Sequence, residues 1–109
     1  MSDAIYIVQT NPLEGREDEY NDWYTNQHLQ DIVALPGFVS AQRFVVEPAP
    51  DSPSPTFRYV AAYTIEGSVE DALAALAGAA SSGLHLSSSL APEMSSTILR
   101  PIGAPARKG

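Results

Sequence analysis

Two segments of this chain combine the residue preferences of β-strands with apolar side chains on both of their faces. Near the N-terminus, Tyr6 and Val8 would point to one side of a strand, and Ile5 and Ile7 would point to the other. Residues 57–65 show the same double pattern. A bare apolar sheet surface of several hundred square ångströms marks an association surface. We therefore predict a layered α+β fold in which a second copy of the chain covers one face of the sheet.

The predicted elements follow the order strand, helix, strand, strand, helix, strand. Their ranges are 4–10, 16–35, 38–47 and 57–65, then a helix that starts after Gly67 and Ser68, and a last strand at 95–102. Acidic residues in the first turn and a Pro-Gly pair at the end delimit the first helix. In 109 residues this order predicts one domain, 1–109, of ferredoxin-like βαββαβ topology, with a four-stranded antiparallel sheet and both helices on one face.

Two segments lack a clear pattern. Residues 79–92 are rich in Ser, Ala and Leu, and they fit either a frayed helix end or a mobile flap. His85 lies in this segment, where a solvated loop histidine is the simplest interpretation. Residues 103–109 contain Gly, Pro and basic side chains and predict a frayed tail.

The composition excludes several classes of function. The chain has no cysteine, which rules out disulfides, thiolate nucleophiles and cysteine-ligated metal sites. Its formal net charge of -7 would repel a phosphate backbone, so nucleic acid is not an expected partner. The sequence has neither a run of roughly 20 apolar residues nor a signal-peptide pattern. We expect a cytoplasmic protein that does not interact with membranes.

One histidine lies within an aromatic stripe of the first predicted helix. Tyr20, Tyr24 and His28 recur at every fourth position, and Trp23 flanks them, so they would face the core together. Because its unperturbed pKa is about 6.5, a histidine can act as a general acid or base near neutral pH. Asp31 would orient the ring or face solvent. The alternative for His28 is a core histidine bonded to a backbone carbonyl.

Strand residues supply further candidates for a substrate site. A buried tyrosine hydroxyl can donate a hydrogen bond to a developing oxyanion, although core packing or a dimer interface also explains tyrosines in these strands. Gln9 and Arg43 are polar residues at strand positions that we predict to point inward, where a polar side chain needs a partner. Arg43 would hold a substrate oxygen, or it would pair with an acidic residue at the start of the first helix. The candidate substrate-binding residues are Tyr24, Gln9, Arg43, Tyr63 and Trp23.

Residues 11–44 contain a series of features in a fixed order. A Gly-Arg pair opens an acidic and aromatic helix with a Trp-Tyr pair and then His28, and a Pro-Gly-Phe run leads into a strand with Arg43. This series resembles the dimeric α+β barrel superfamily, in particular its EthD-like branch, and the strand at 59–65 is also similar to that family. The resemblance implies a homodimer with a pocket in each subunit between sheet and helices. It also implies that the histidine points into that pocket.

The resemblance does not fix the reaction. Members of the superfamily include cofactor-free monooxygenases, polyketide cyclases, muconolactone isomerases and heme-degrading enzymes, and one fold hosts many activities. We predict an enzyme without cofactor or metal that uses His28 as general acid or base on a small apolar cyclic or enolisable substrate of an aromatic or polyketide pathway. The reaction would be that of an isomerase, cyclase, lyase or monooxygenase. The alternatives are a noncatalytic small-molecule-binding dimer and a heme-handling protein with His28 or His85 as axial ligand.

Overall fold

The order of elements in the structure is the predicted one, with an interruption inside the first helix. The structure, a computed structural model, describes residues 3–109. Its elements are β1 (Ala4–Pro12), α1 (Glu17–Trp23), a π-helical turn (Tyr24–His28), α2 (Leu29–Val33), β2 (Phe38–Val45), β3 (Tyr59–Ile65), α3 (Val69–Ser81) and β4 (Leu90–Leu99). The strands form one antiparallel sheet in the order β2-β3-β1-β4. The ferredoxin-like α+β fold is therefore confirmed.

The boundaries of β4 differ from the prediction. This strand starts at Leu90, whereas the sequence predicted a start at residue 95. Its first residues pair with the end of β1, where Leu90 lies opposite Pro12 across an irregularity in the register. Pro92 lies within β4, which is an edge strand, and an edge position tolerates a residue without a backbone N–H. The irregular part of the predicted segment 79–92 is thus reduced to the connection 82–89.

The inner face of the sheet packs against the helices. Val8 and Ala4 of β1 lie on the same side as Ala61 and Tyr63 of β3, and all four are buried. The helical residues that complete this core are Tyr20, Trp23, Tyr24, Leu29, Ile32, Val69 and Ala72. Burial of a large apolar side chain stabilises a protein by about 1.5–3 kcal/mol, so this layer is the main source of stability.

The opposite side of the sheet, called the outer face here, carries apolar side chains that are partly exposed. Ile5 is 38% exposed, and Phe44 and Leu99 are each 48% exposed. Gln9 also lies on the outer face, where its neighbours across the sheet are Val60 and Ser95. The prediction that Gln9 points inward is therefore wrong. Because side chains alternate along a strand, the buried Val8 and Thr10 fix the opposite orientation for Gln9.

Gly37 makes the closest approach between the start of β2 and α3. Its φ is +91°, and an added Cβ would lie 2.9 Å from the Cβ of Ala72. We expect Gly37→Ala to cost roughly 1–2 kcal/mol for the left-handed backbone and roughly 1–3 kcal/mol more for the contact. Gly67→Ala is the matched control, because Gly67 has φ +79° and open space around it. Urea unfolding measures both losses, and equal losses would contradict the packing argument.

Candidate functional site

A cavity of about 190 Å³ lies between the inner face of the sheet and the helices. Its apolar wall includes Val8, Ile32, Leu76, Leu84, Leu86 and Leu90. Its polar atoms come from aromatic and hydroxyl side chains, namely Tyr6, Thr10, Trp23, Tyr24, His28 and Tyr63. Among the described residues that line the cavity, none is acidic, lysine or arginine. This is the composition of a site for a small, mostly apolar molecule with few polar groups.

The π-helical turn determines how His28 meets its neighbours. The N–H of Leu29 donates to the carbonyl of Tyr24, and such bonds from i to i+5 widen the turn so that residues five apart come to one side. In a regular α-helix, Trp23 and His28 would point about 140° apart. Here their rings are stacked with centroids 4.6 Å apart, and the ring of Tyr24 is edge-on to His28 at 4.9 Å. The turn therefore brings all three aromatic rings to the cavity.

Burial keeps His28, Tyr24 and Tyr63 of the cavity uncharged at neutral pH. Desolvation lowers the pKa of His28 to about 4, against the opposing effect of Asp31. Burial raises the pKa of Tyr24 to about 12 and also raises the pKa of Tyr63. The imidazole is therefore neutral and can accept a proton, whereas both phenols stay protonated and can donate hydrogen bonds.

Some donors and acceptors of the site have no hydrogen-bond partner or only a long one. The hydroxyl of Tyr63 donates to the hydroxyl of Tyr24 over 3.4 Å, which is a long contact. Nδ1 of His28 and Nε1 of Trp23 are buried without a hydrogen-bond partner in residues 3–109. Nδ1 is thus not satisfied by a backbone carbonyl, as a purely structural core histidine would require. An unpaired buried polar atom costs about 1–3 kcal/mol, so stability alone does not explain a histidine here.

The lowered pKa of His28 makes a prediction about acid stability. The folded pKa of about 4 lies below the unfolded value of about 6.5, so this contribution is present above pH 6.5 and is lost as the pH falls toward 4. We expect the free energy of unfolding to fall by about 2 kcal/mol between about pH 7.5 and about pH 5. Urea unfolding of His28→Gln should show most of this fall removed. His85→Gln, which changes the exposed histidine, should retain most of this fall, because His85 has the smallest of the three effects on the pKa of His28.

Four of the predicted site residues come together in the structure. His28, Tyr24, Trp23 and Tyr63 all line the cavity, although their roles stay predictions. Gln9 does not reach the cavity, because it lies on the outer face. The sequence did not single out Thr10 and Met94, which also line the cavity. Thr10 and Met94 lie opposite each other and alternate with the pair Gln9 and Ser95. The sequence could have identified them only if it had shown which residues of β1 point inward.

Arg43 lies behind the cavity wall and does not line it. Its guanidinium carbon is 4.6 Å from the ring centroid of Tyr24. The predicted alternative of an ion pair with Glu17, Asp18 or Glu19 is wrong, because Glu17 pairs with Arg58 and Glu19 pairs with Arg16. Within the described residues Arg43 has no ion-pair partner. Its contacts are instead with the ring faces and polar side chains of the first helix.

The connection 82–89 forms one side of the cavity. Leu84 and Leu86 line it, and His85 approaches the edge of Trp23 with ring centroids 6.4 Å apart. Arg16 fastens this connection to the start of α1 by donating to the backbone carbonyl and the hydroxyl of Ser88. Of the predicted segment 79–92, residues 79–81 thus belong to α3, residues 90–92 belong to β4, and the connection between them forms part of the cavity wall. No local sequence signal indicated these contacts, because all of them are long-range.

Two further features of the structure concern metal ions and membranes. Within residues 3–109, no three His, Asp or Glu side chains are grouped so that they could hold a metal ion. In the same range, no helix is both long and apolar enough to cross a membrane.

Comparison with known proteins gives similarity in structure only. No model of a protein family matches the sequence, and no curated protein is significantly similar to it. A candidate monooxygenase from Shewanella loihica PV-4 matches with a TM-score of 0.64 at 15% identity, covering 95% of this chain and 99% of that one. An EthD family protein from Bacillus halodurans matches with a TM-score of 0.62 at 13% identity, covering 94% of this chain and 100% of that one.

The third similar structure is the heme degrader MhuD from Mycobacterium tuberculosis, with two hemes bound in its active site. Its TM-score is 0.64 at 19% identity, and the match covers 94% of this chain and 99% of that one. All three proteins are members of the dimeric α+β barrel superfamily. At these identities the likeness concerns the fold, and the resemblance that the sequence showed to this superfamily is confirmed at that level. The chain therefore shares the ferredoxin-like α+β fold of these three proteins.

Proposed function

We propose that the chain is a cofactor-independent enzyme that moves a proton on a small, uncharged, cyclic or enolisable substrate, with His28 as the base. The observation that carries this proposal is the pairing of a neutral imidazole with two protonated phenols in one apolar cavity. Because the pKa of His28 is lowered to about 4, this base is weak, and the substrate must supply an acidic C–H or O–H. A carbonyl next to a C–H provides such a group.

The proton transfer would proceed between named groups. The C–H bond breaks, the proton goes to His28, and the electron pair moves onto the carbonyl oxygen to form an enolate. The hydroxyls of Tyr24 and Tyr63 donate hydrogen bonds to this oxygen, where charge develops. The enolate in turn raises the proton affinity of His28, because an opposite charge nearby favours the imidazolium. Return of the proton to another carbon completes an isomerisation. The enolate carbon can instead attack a second carbonyl carbon, which closes a ring, or the enolate can expel a leaving group from the β carbon, which is an elimination; His28 returns its proton to the oxyanion or to the leaving group. Addition of the enolate carbon to O₂ forms a peroxide anion, and His28 again returns the proton.

A noncatalytic binding protein is the second candidate. The observation in its favour is the pKa of about 4 for His28, which makes the imidazole a weak base until an anion forms beside it. In that case the cavity would bind the same class of molecule without changing it. Proton exchange distinguishes the two functions, because a binder does not accelerate it.

Heme does not fit the residues of this cavity. A volume of about 190 Å³ is below the roughly 300–1,000 Å³ of pockets for drug-sized ligands, and a porphyrin is larger than such ligands. No arginine or lysine lines the cavity to meet the propionates. We therefore do not expect this chain to bind heme as the Mycobacterium tuberculosis neighbour does. A heme titration without a Soret shift would agree with this conclusion.

A homodimer is part of the proposal. The outer face carries Ile5, Phe44 and Leu99 partly exposed, and a second copy of the same face would cover them. The cytoplasm stays the expected compartment as the default, because a chain without cysteine indicates neither an oxidising nor a reducing environment.

The test of the proposed activity needs no knowledge of the natural substrate. 2-Tetralone is an uncharged bicyclic ketone with acidic C–H groups, and its exchange of hydrogen for deuterium in D₂O can be followed by NMR. We expect the chain to accelerate this exchange above the buffer rate, in a reaction that saturates with ketone. Binding without acceleration would favour the noncatalytic candidate, and a lack of binding would remove both.

A further inference from the structure

Arg43 occupies an unusual position for a charged residue. Its side chain leaves β2 on the inner face, where its neighbour in β3 is Ala61. The guanidinium carbon lies 4.6 Å from the ring centroid of Tyr24, 5.2 Å from that of Tyr20 and 5.3 Å from that of Tyr59. No carboxylate of residues 3–109 forms an ion pair with it. A guanidinium is suited to such a place because it is weakly hydrated and stacks on aromatic faces.

The hydrogen bonds of Arg43 lie on either side of the junction between α1 and the π-helical turn. One nitrogen donates to Oδ1 of Asn21 over 2.9 Å, and the other donates to Oγ1 of Thr25 over 2.9 Å. The second nitrogen also reaches the backbone carbonyl of Asn21 over 3.5 Å. The planar fork thus joins the last turn of α1 to the first turn of the π-helical segment. A π-helical turn has poorer intrinsic stability than an α-helix, so such a link from the sheet helps to hold it.

The charge of Arg43 also acts on the cavity through one ring. Tyr24 lines the cavity on one side and receives the guanidinium on the other. A positive charge at this distance favours loss of the phenolic proton, which strengthens the hydroxyl as a hydrogen-bond donor. Its effect on the pKa of Tyr24 opposes the larger effect of burial. Arg43 therefore stabilises the π-helical turn that ends at His28, and it also polarises the hydroxyl of Tyr24.

We propose that Arg43 is a positioning residue, which acts on the substrate through Tyr24 and through the π-helical turn without touching the substrate. This inference rests on the proposed function, in which Tyr24 donates to the developing enolate. It predicts two measurable effects of Arg43. One is the protection of the Leu29 amide, which donates to the Tyr24 carbonyl across the turn, against hydrogen exchange. The other is the strength of the hydrogen bond that a carbonyl oxygen receives in the cavity.

Three variants test the proposal. Arg43→Met keeps most of the side-chain volume and removes both charge and fork, whereas Arg43→Lys keeps the charge and loses the planar fork. Arg58→Met is the matched control, because Arg58 stacks on Tyr59 at 5.7 Å and pairs with Glu17, outside the cavity. Amide hydrogen exchange of Leu29 is measured in the free protein by NMR. The carbonyl stretching frequency of bound 2-tetralone is measured by infrared difference spectroscopy.

In Arg43→Met we expect the Leu29 amide to exchange about tenfold faster or more, and the carbonyl frequency of the ketone to shift toward its value in an apolar solvent. Arg43→Lys should lie between wild type and Arg43→Met in both measurements, and Arg58→Met should match wild type. If Arg43→Met does not fold, Arg43→Lys decides alone. Wild-type values in both Arg43 variants would overturn the proposal. If the carbonyl frequency of 2-tetralone does not shift on binding to the wild type, the proposed role of Tyr24 is contradicted. Amide exchange of Leu29 would still test whether Arg43 stabilises the π-helical turn.

Discussion

His28→Gln is expected to slow the deuterium exchange of 2-tetralone by about 10²–10⁴-fold, the usual contribution of a placed general base. Glutamine is close to histidine in size, so it fills the same space beside Trp23 and Tyr24 but cannot take up a proton. The wild-type rate constant kcat/KM should not vary between about pH 5.5 and about pH 8, because the pKa of His28 is lowered to about 4 and the imidazole is already neutral there.

His85→Gln is the control for this experiment. His85 is exposed in the connection 82–89, contacts the edge of Trp23, and has the smallest of the three effects on the pKa of His28, so its loss should leave most of the rate. An exchange rate in His28→Gln equal to that of the wild type would exclude His28 as the base. A wild-type pH profile with a step near 6.5 would show a histidine in a solvated environment, contrary to its burial here.

Phe44→Glu is expected to convert a dimer to a monomer. The wild-type chain should sediment as a dimer at micromolar concentration, because pairing of two outer faces removes their apolar side chains from water. A glutamate at position 44 would place an unpaired charge in this interface, and the two-fold symmetry would introduce it twice. We expect the dissociation constant to rise by about 100-fold or more.

Val45→Glu is the matched control for the dimer. Val45 is the next residue along β2, is 66% exposed, and points to the other side of the sheet. The same change of charge at this position should leave the dimer intact. Circular dichroism of both variants would show that the fold is retained. A wild-type chain that sediments as a monomer at micromolar concentration would contradict the homodimer directly.

Local patterns of the sequence were enough to predict the topology. The β-branched and aromatic residues of 57–65 and the Pro36-Gly37 pair after the first helix are short-range signals, and the structure has β3 and the end of α2 at the corresponding places. His28 was found because residues four apart share a helix face, and Tyr24 and His28 do share one. The orientation of Gln9 was not predictable in the same way. A strand that is apolar on both faces contains no signal for which face lies inside.

The parts of the site that the sequence did not reveal depend on tertiary contacts. The hydrogen-bond partners of Arg43, Thr25 and Asn21, lie 18 and 22 residues away in the sequence and are uncharged. The presence of acidic residues at the start of the first helix therefore suggested the wrong partners. The π-helical turn has no compositional signature in Tyr24–His28. It is visible only when the packing of both ends of the helix is known. For this reason the stacking of Trp23 on His28 could not be predicted from a regular period of 3.6 residues.

The widened turn has a consequence for aligning this chain with others. Because i to i+5 bonds take up one residue more than i to i+4 bonds over the same turn, a relative with an uninterrupted helix would match this one only with a one-residue gap between Tyr24 and His28. Without that gap, each position from Leu29 to the end of the helix would be compared with a neighbour that points in another direction. An alignment based on residue identity alone would then miss equivalent core positions, even where the two backbones superimpose.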